Sequence, residues 1–163
     1  MRHTKWHNIG RRLRWVAFML AIALCVAACS NERNIVVMTD VDIAKWDEPE
    51  SVTLKNDIGK CTGELTIVMH VNRRFKAEQV KLEIVSQTAD SLRFSEKIVT
   101  QPTIEWPASA AQSVDVEIPY RHNVEMRRAG DYTYTITPLQ PLQGVESVGI
   151  SFRTKKQLDS GKR

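Results

Sequence analysis

Few side chains in this 163-residue chain can do covalent or acid–base chemistry: three cysteines, Cys25, Cys29 and Cys61, and four histidines, His3, His7, His70 and His122. A thiolate serves as nucleophile, metal ligand or acceptor of a modifying group, and an imidazole as proton shuttle or ligand. Their spacing assembles none of the usual machinery. There is no H-x-x-x-H pair to hold zinc, no G-x-S-x-G nucleophile elbow and no glycine-rich phosphate loop. Cys61 and His70 stand nine residues apart with no signature around them. The sequence therefore offers no argument for an enzyme, and it implies no metal and no cofactor. Two features suit binding instead. Trp106-Pro107 is either an aromatic platform for a sugar or a hydrophobic plug at the end of a folded domain. Arg73-Arg74 and Arg127-Arg128, with Arg121, form one positive patch if their loops share an end, and are otherwise solvated hairpin tips.

The first thirty residues hold the clearest chemical signal. Arg2, Lys5, Arg11, Arg12 and Arg14 give a basic start without any acid, and Trp15 to Val26 is almost purely apolar. A basic segment, an apolar stretch and small residues before a cut site describe a secretory signal. The stretch is also shorter than the roughly 20 apolar residues that cross a bilayer. Val26-Ala27-Ala28-Cys29 resembles a bacterial lipobox, an aliphatic residue and two small residues before a cysteine. Such a cysteine receives the lipid on its thiol. The other reading is an ordinary signal cut nearby, with Cys29 a bystander. Residues 1–28 are thus expected to be a cleaved lipoprotein signal peptide, with lipidation at Cys29 and a short polar tether over residues 29–34.

Removal of the signal changes the charge. The whole chain has 23 Lys+Arg and 19 Asp+Glu; residues 1–28 hold five of the bases and no acid, so 18 bases and 19 acids remain. A nucleic-acid footprint needs a surviving basic excess, and there is none. Cys25 leaves with the signal and Cys29 is acylated, so Cys61 has no partner for an internal disulfide. It is read as a buried small apolar residue or a free thiol, with burial the more usual state.

The remaining chain must position whatever these residues do, and its dominant pattern is alternation. Leu65, Ile67, Met69 and Val71 alternate with polar neighbours, as do Val80, Leu82 and Ile84. Leu92, Phe94 and Ile98 follow, with Glu96 as one misfit, then Val114, Val116, Ile118 and Tyr120. Tyr132, Tyr134 and Ile136 precede Val148, Ile150 and Phe152. Weaker strands are expected near Ile35–Val41 and Ser51–Leu54. Alternation at period two marks strands with one face buried, and no segment sustains a helical stripe. The expected fold is all-β: a single antiparallel β-sandwich of Ig-like or Greek-key type, with seven or eight strands over residues 35–153. Residues 154–163 read as a polar, flexible tail. Pro119 should end its strand or place it on an edge. Gly130-Asp131-Tyr132 has the form of a tyrosine corner, whose phenol bonds back to nearby backbone; otherwise Tyr132 is a plain core aromatic.

The C-terminal part also resembles a known family. Ala129-Gly130-Asp131-Tyr132-Thr133-Tyr134-Thr135-Ile136 is followed by Leu142-Gln143-Gly144-Val145 and Val148-Gly149-Ile150. This run is similar to the closing motif of the gliding motility lipoprotein GldH family: a G-x-Y-x-[FY] strand, a loop, L-x-G-[IV], then V-G-[IL]. Trp46-Asp47 before the Leu65–Val71 strand is similar to the family's start, and Phe75 to Leu82 to its aromatic-rich turn. The chain departs from the family at Gln79, where asparagine is usual, and over Trp106 to Ala111, which replace a middle segment containing glycine and tryptophan. The resemblance implies a small, non-enzymatic cell-envelope lipoprotein. It would be held to the outer membrane by its lipid and support gliding or protein-secretion machinery through other envelope proteins. Ser30-Asn31-Glu32-Arg33 lacks the acidic run of surface-exported lipoproteins, which favours the periplasmic face. The alternative is an envelope lipoprotein that binds a glycan or small ligand.

Overall fold

The computed structural model describes residues 33–108 and 112–154. The signal segment, Cys29 and the tail after Thr154 lie outside the described residues. Eight strands follow one another: β1 (Asn34–Asp40), β2 (Glu50–Asn56), β3 (Cys61–Asn72), β4 (Val80–Gln87), β5 (Arg93–Thr100), β6 (Ser113–Met126), β7 (Gly130–Pro138) and β8 (Val145–Thr154). They form two antiparallel four-stranded sheets, in the orders β1-β8-β3-β6 and β2-β7-β4-β5. The expected β-sandwich is the fold. Its pairings are nested, β1 with β8, β2 with β7, β3 with β6 and β4 with β5. That nesting is the double Greek key of a jelly roll. It differs from the immunoglobulin order, in which the strands of one sheet are not shared out this way.

Alternation builds the core. Leu54, Ile67, Met69, Leu82, Ile84, Ile136 and Ile150 are fully buried between the sheets, and Phe152 nearly so. Each such side chain stabilises the fold by about 1.5–3 kcal/mol relative to exposure. Trp46 closes one end of the sandwich. It exchanges two backbone hydrogen bonds with Leu142, and its indole Nε1 donates to the Glu48 carbonyl at 2.9 Å. Two glycines of the C-terminal motif have steric reasons to be there. Gly144 has φ +77°, and a Cβ on it would lie 2.3 Å from the Phe75 nitrogen. A Cβ on Gly149 would lie 2.0 Å from the Val37 carbonyl oxygen, where β1 crosses β8.

Two boundaries differ from the sequence reading. Asn34, assigned to the tether, already pairs with Arg153, and Thr154, assigned to the tail, is buried within β8. Of the two outcomes expected at Pro119, an edge position is the one found, and β6 runs on to Met126. It can do so because β6 is an edge strand, where a residue without an N–H leaves no ladder bond unmade. Of the inward residues expected for the fifth strand, Leu92 lies just before β5 and Phe94 on it, and both are exposed, by 51% and 54%. The pattern there has the right period, but the sheet opposite does not cover it.

Candidate functional site

The two sheets come close together where β1 faces β2 and stand apart where β5 faces β6. The open side is shaped by an irregularity in β6. Ile118 pairs with Ile67 and Pro119 with Thr66, but Arg121 pairs with Leu65, so Tyr120 is an extra residue in the ladder. A second shift follows before Val124 pairs with Gly63, and Asn123 takes the left-handed conformation there, with φ 56°. A bulge of this kind bends a strand and re-aims its side chains. Its effect is to bring Arg121, which simple alternation would send outward, to the core face opposite buried Leu65.

From the other sheet, Glu96 meets this bulge. Glu96 pairs with buried Ile84, so it lies on the inner face of β5. Its Oε1 accepts hydrogen bonds from the Tyr120 hydroxyl, from Arg121 Nε at 2.9 Å and from Arg121 Nη2 at 2.7 Å. The three groups form a bridge across the open side. Burial pushes the Glu96 carboxyl up, but the hydrogen bonds from Tyr120 and Arg121 outweigh it and hold the group below the usual glutamate range. Burial, and then the bond to Glu96, push Tyr120 up to about 12.

A cleft of about 540 Å³ adjoins this bridge, lined among others by Phe94, Tyr120, Arg121, Tyr132 and Tyr134. Phe94 is the exposed aromatic of this group, while Tyr132 and Tyr134 are buried in the wall. Burial, with Tyr120 and Tyr132 nearby, keeps the Tyr134 phenol protonated well above its ordinary range. The lining sets these aromatic rings beside polar side chains, Gln87, Arg121, His122 and Glu125 among them, a mixture suited to recognition. Apolar area supplies contact, and a few convergent polar groups fix orientation.

The residues singled out from the sequence fall in separate places. Cys61, the free cysteine among the described residues, is half-buried at the start of β3 rather than fully buried. Burial pushes its thiol up, away from the reactive thiolate. His70 projects from the outer face of β3, with Nδ1 2.7 Å from Asp115 and Nε2 3.6 Å from Glu146. Ser113 donates to Glu146 rather than to His70, so the nucleophile–base contact of a triad is not made. His122 Nδ1 lies 3.3 Å from Glu64, within β6 rather than beyond it. Among the described residues, no three His, Cys, Asp or Glu side chains are placed to hold a metal ion.

The single basic patch does not form. Arg73-Arg74 follow β3 at Asn72, which pairs with Ser113 at the start of β6, whereas Arg127-Arg128 follow the end of β6 at Met126, which pairs with Cys61. The two pairs therefore sit at opposite ends of the sandwich. Trp106 is half-buried, with the Arg73 guanidinium 5.1 Å from its ring centre. That stacking occupies a face a sugar would need. The tyrosine corner is present: the Tyr132 hydroxyl donates to the Arg128 carbonyl at 3.1 Å. Glu96 and Tyr120 were not singled out as a site, yet Glu96 was the one residue out of phase in its strand, and that was the available signal.

Compared with known proteins, the chain matches no family model, and no curated protein matches it.

Proposed function

We propose that this protein is a non-enzymatic lipoprotein of the cell envelope, GldH-like, that supports gliding or protein-secretion machinery by holding another envelope protein. Lipid on Cys29 anchors it to the outer membrane, on the periplasmic face. The observation that supports a holding role is the free edge beside the cleft. β5 ends its sheet, and Phe94 on its inner face and Val99 on its outer face are exposed by 54% and 59%. An uncovered edge strand offers unpaired backbone groups to a partner segment, and neighbouring apolar side chains add contact area. Glu96, Tyr120 and Arg121 brace this edge against the other sheet, so the surface is preorganised.

Photo-crosslinking from position 94 in native membranes tests the reading. Adducts with envelope lipoproteins or secretion components are expected, and they should vanish when the crosslinker is moved to the buried position 84. Recovery of uncrosslinked monomer, together with a deletion strain whose secretion and motility are normal, would overturn it. The anchor is tested separately: Cys29→Ala should abolish lipid labelling and leave unprocessed precursor.

A second reading has one observation in its favour, the aromatic lining of the cleft beside Arg121. In this reading the ligand is an envelope glycan or other small molecule. A thermal-shift screen with glycan fragments separates the two, since ligand-dependent stabilisation lost in Tyr120→Phe would select the cleft over the edge.

A further inference from the structure

Both ends of the sandwich expose large apolar side chains, Ile58 and Leu92 at one and Ile43 and Leu139 at the other, but the two ends differ in charge. The chain enters at Arg33, whose carbonyl accepts from the Thr154 nitrogen at 2.9 Å, so both termini of the domain lie at one end. The same end holds three connections: 57–60, 88–92 and 127–129. They are tied together. The Asn56 amide donates to the Gly59 carbonyl at 2.6 Å and to the Arg128 carbonyl at 2.9 Å. A Cβ on Gly130 would lie 2.9 Å from the Ala89 Cβ, which brings the 88–92 connection against the 127–129 one. These connections present Lys60, Arg127 and Arg128 against Asp57 and Asp90; at the adjoining strand ends stand Arg33, Lys55, Arg93 and Arg153 with Glu125 and Asp131, and Glu125 pairs with Lys60 at 3.0 Å and with Arg127 at 3.6 Å. Two large apolar side chains project among them, Ile58 at 45% exposure and Leu92 at 51%. At the opposite end the balance reverses, with Asp42, Asp47, Glu48, Glu78 and Glu105 against Lys45, Arg73, Arg74 and Lys76.

We infer that this basic end rests on an anionic lipid surface, with Ile58 and Leu92 dipping into the headgroup region and its excess of bases, Arg128 foremost, against lipid phosphates. The inference rests on the anchored reading above, because the lipid-bearing residue Cys29 precedes Arg33 by only four positions. A tether that short cannot span more than about 15 Å, so it holds this end, and not the other, within reach of the headgroups. Basic side chains near an anionic leaflet are attracted within a Debye length, and apolar loop tips add a contact that salt does not screen. The anchor thereby becomes a fixed orientation. The acidic end points away from the bilayer, and the β5 edge stands along the membrane normal.

The test uses the lipidated protein purified from membranes and reconstituted into vesicles. Amide hydrogen exchange is compared in phosphatidylcholine alone and in phosphatidylcholine with phosphatidylglycerol. Residues 57–60, 88–92 and 127–129 should exchange more slowly in the anionic vesicles, and residues 73–79 and 139–144 should not change. Arg128→Gln should weaken the docking roughly fivefold, and Lys60→Gln and Arg127→Gln, whose charges Glu125 already offsets, by less. These side chains are exposed, so the variants keep the sandwich, as unchanged exchange in β3 and β8 would verify. Equal exchange of the three connections in both vesicles, or protection at the acidic end, would overturn the inference. So would equal protection by inorganic phosphate in detergent, which would mark an anion site rather than a surface. Mass spectrometry of the purified protein reads the acyl chains on Cys29 independently, so a failed anchor and a failed docking are told apart.

Discussion

Tyr132 fastens a strand to its own turn. Its hydroxyl donates to the Arg128 carbonyl, and its ring is 6% exposed. Tyr132→Phe keeps the ring and removes the bond. The Arg128 carbonyl retains its bond from Asn56, so the loss should be only about 1 kcal/mol, read as a lower urea midpoint at unchanged slope. The Glu96 bridge makes a prediction in pH. The folded Glu96 carboxyl is held below the ordinary 4.5, so its contribution is complete above that value and is lost as the pH falls through the folded one. Tyr120 works in the other direction. With its folded value near 12 against an ordinary 10.0, its contribution is complete below pH 10 and is lost as the pH rises towards 12. Glu96→Gln should flatten the acid limb of a plot of urea midpoint against pH, and Tyr120→Phe the alkaline limb. An acid limb identical in Glu96→Gln and the parent would show that the bridge contributes nothing to stability.

At the scale of the element, β5 differs from its neighbour β4 in what covers it. Phe94 and Ile84 both point to the inner face, yet Phe94 is 54% exposed and Ile84 is fully buried. Ile84→Ala should cost 2–5 kcal/mol by leaving a cavity, estimated at about that size from comparable core truncations. Phe94→Ala should cost well under about 1 kcal/mol, as an exposed site does, even though phenylalanine is the larger side chain. Chemical denaturation of the two variants checks this, and a Phe94→Ala loss as large as that of Ile84→Ala would mean the cleft is closed in solution. The strands themselves were legible because period-two alternation is a direct record of one buried face, which is why Leu65 to Val71 and Tyr132 to Ile136 read correctly. The cleft was not legible. Which inward residues go uncovered depends on where the opposite sheet ends, and the bulge at Tyr120 moves Arg121 to the core face through a pairing that only the fold reveals. The basic pairs failed for a related reason, since alternation says nothing of which end of a sandwich a loop occupies.

For the whole molecule, the two sheets share one core rather than two. Buried residues from both sheets, among them Ile67 and Ile150 from one and Leu82 and Ile136 from the other, belong to a single cluster that also includes Trp46. Neither sheet can bury its apolar face without the other, so unfolding should be a single cooperative step. Tryptophan fluorescence, dominated by the loss of burial at Trp46, and far-ultraviolet circular dichroism should trace coincident transitions in urea. Two separated transitions would show that one sheet survives alone. The near-balance of charge over residues 29–163 conceals a modest difference between the two ends, which a net charge cannot express.

The nested pairing of the strands also sets the order in which the chain can be completed. β8, the last strand, lies between β1 and β3, and β1 has no other partner in its sheet. The innermost pair, β4 with β5, is separated by only a short turn, whereas β1 must wait for residues more than a hundred positions later. Pairings so remote in sequence close slowly and late. A nascent chain short of Val145 therefore has a hairpin at its centre and an unmatched first strand at its beginning. The sandwich therefore stays open until its last strand has been made, a delay that would suit a chain whose N-terminal segment reads as an export signal.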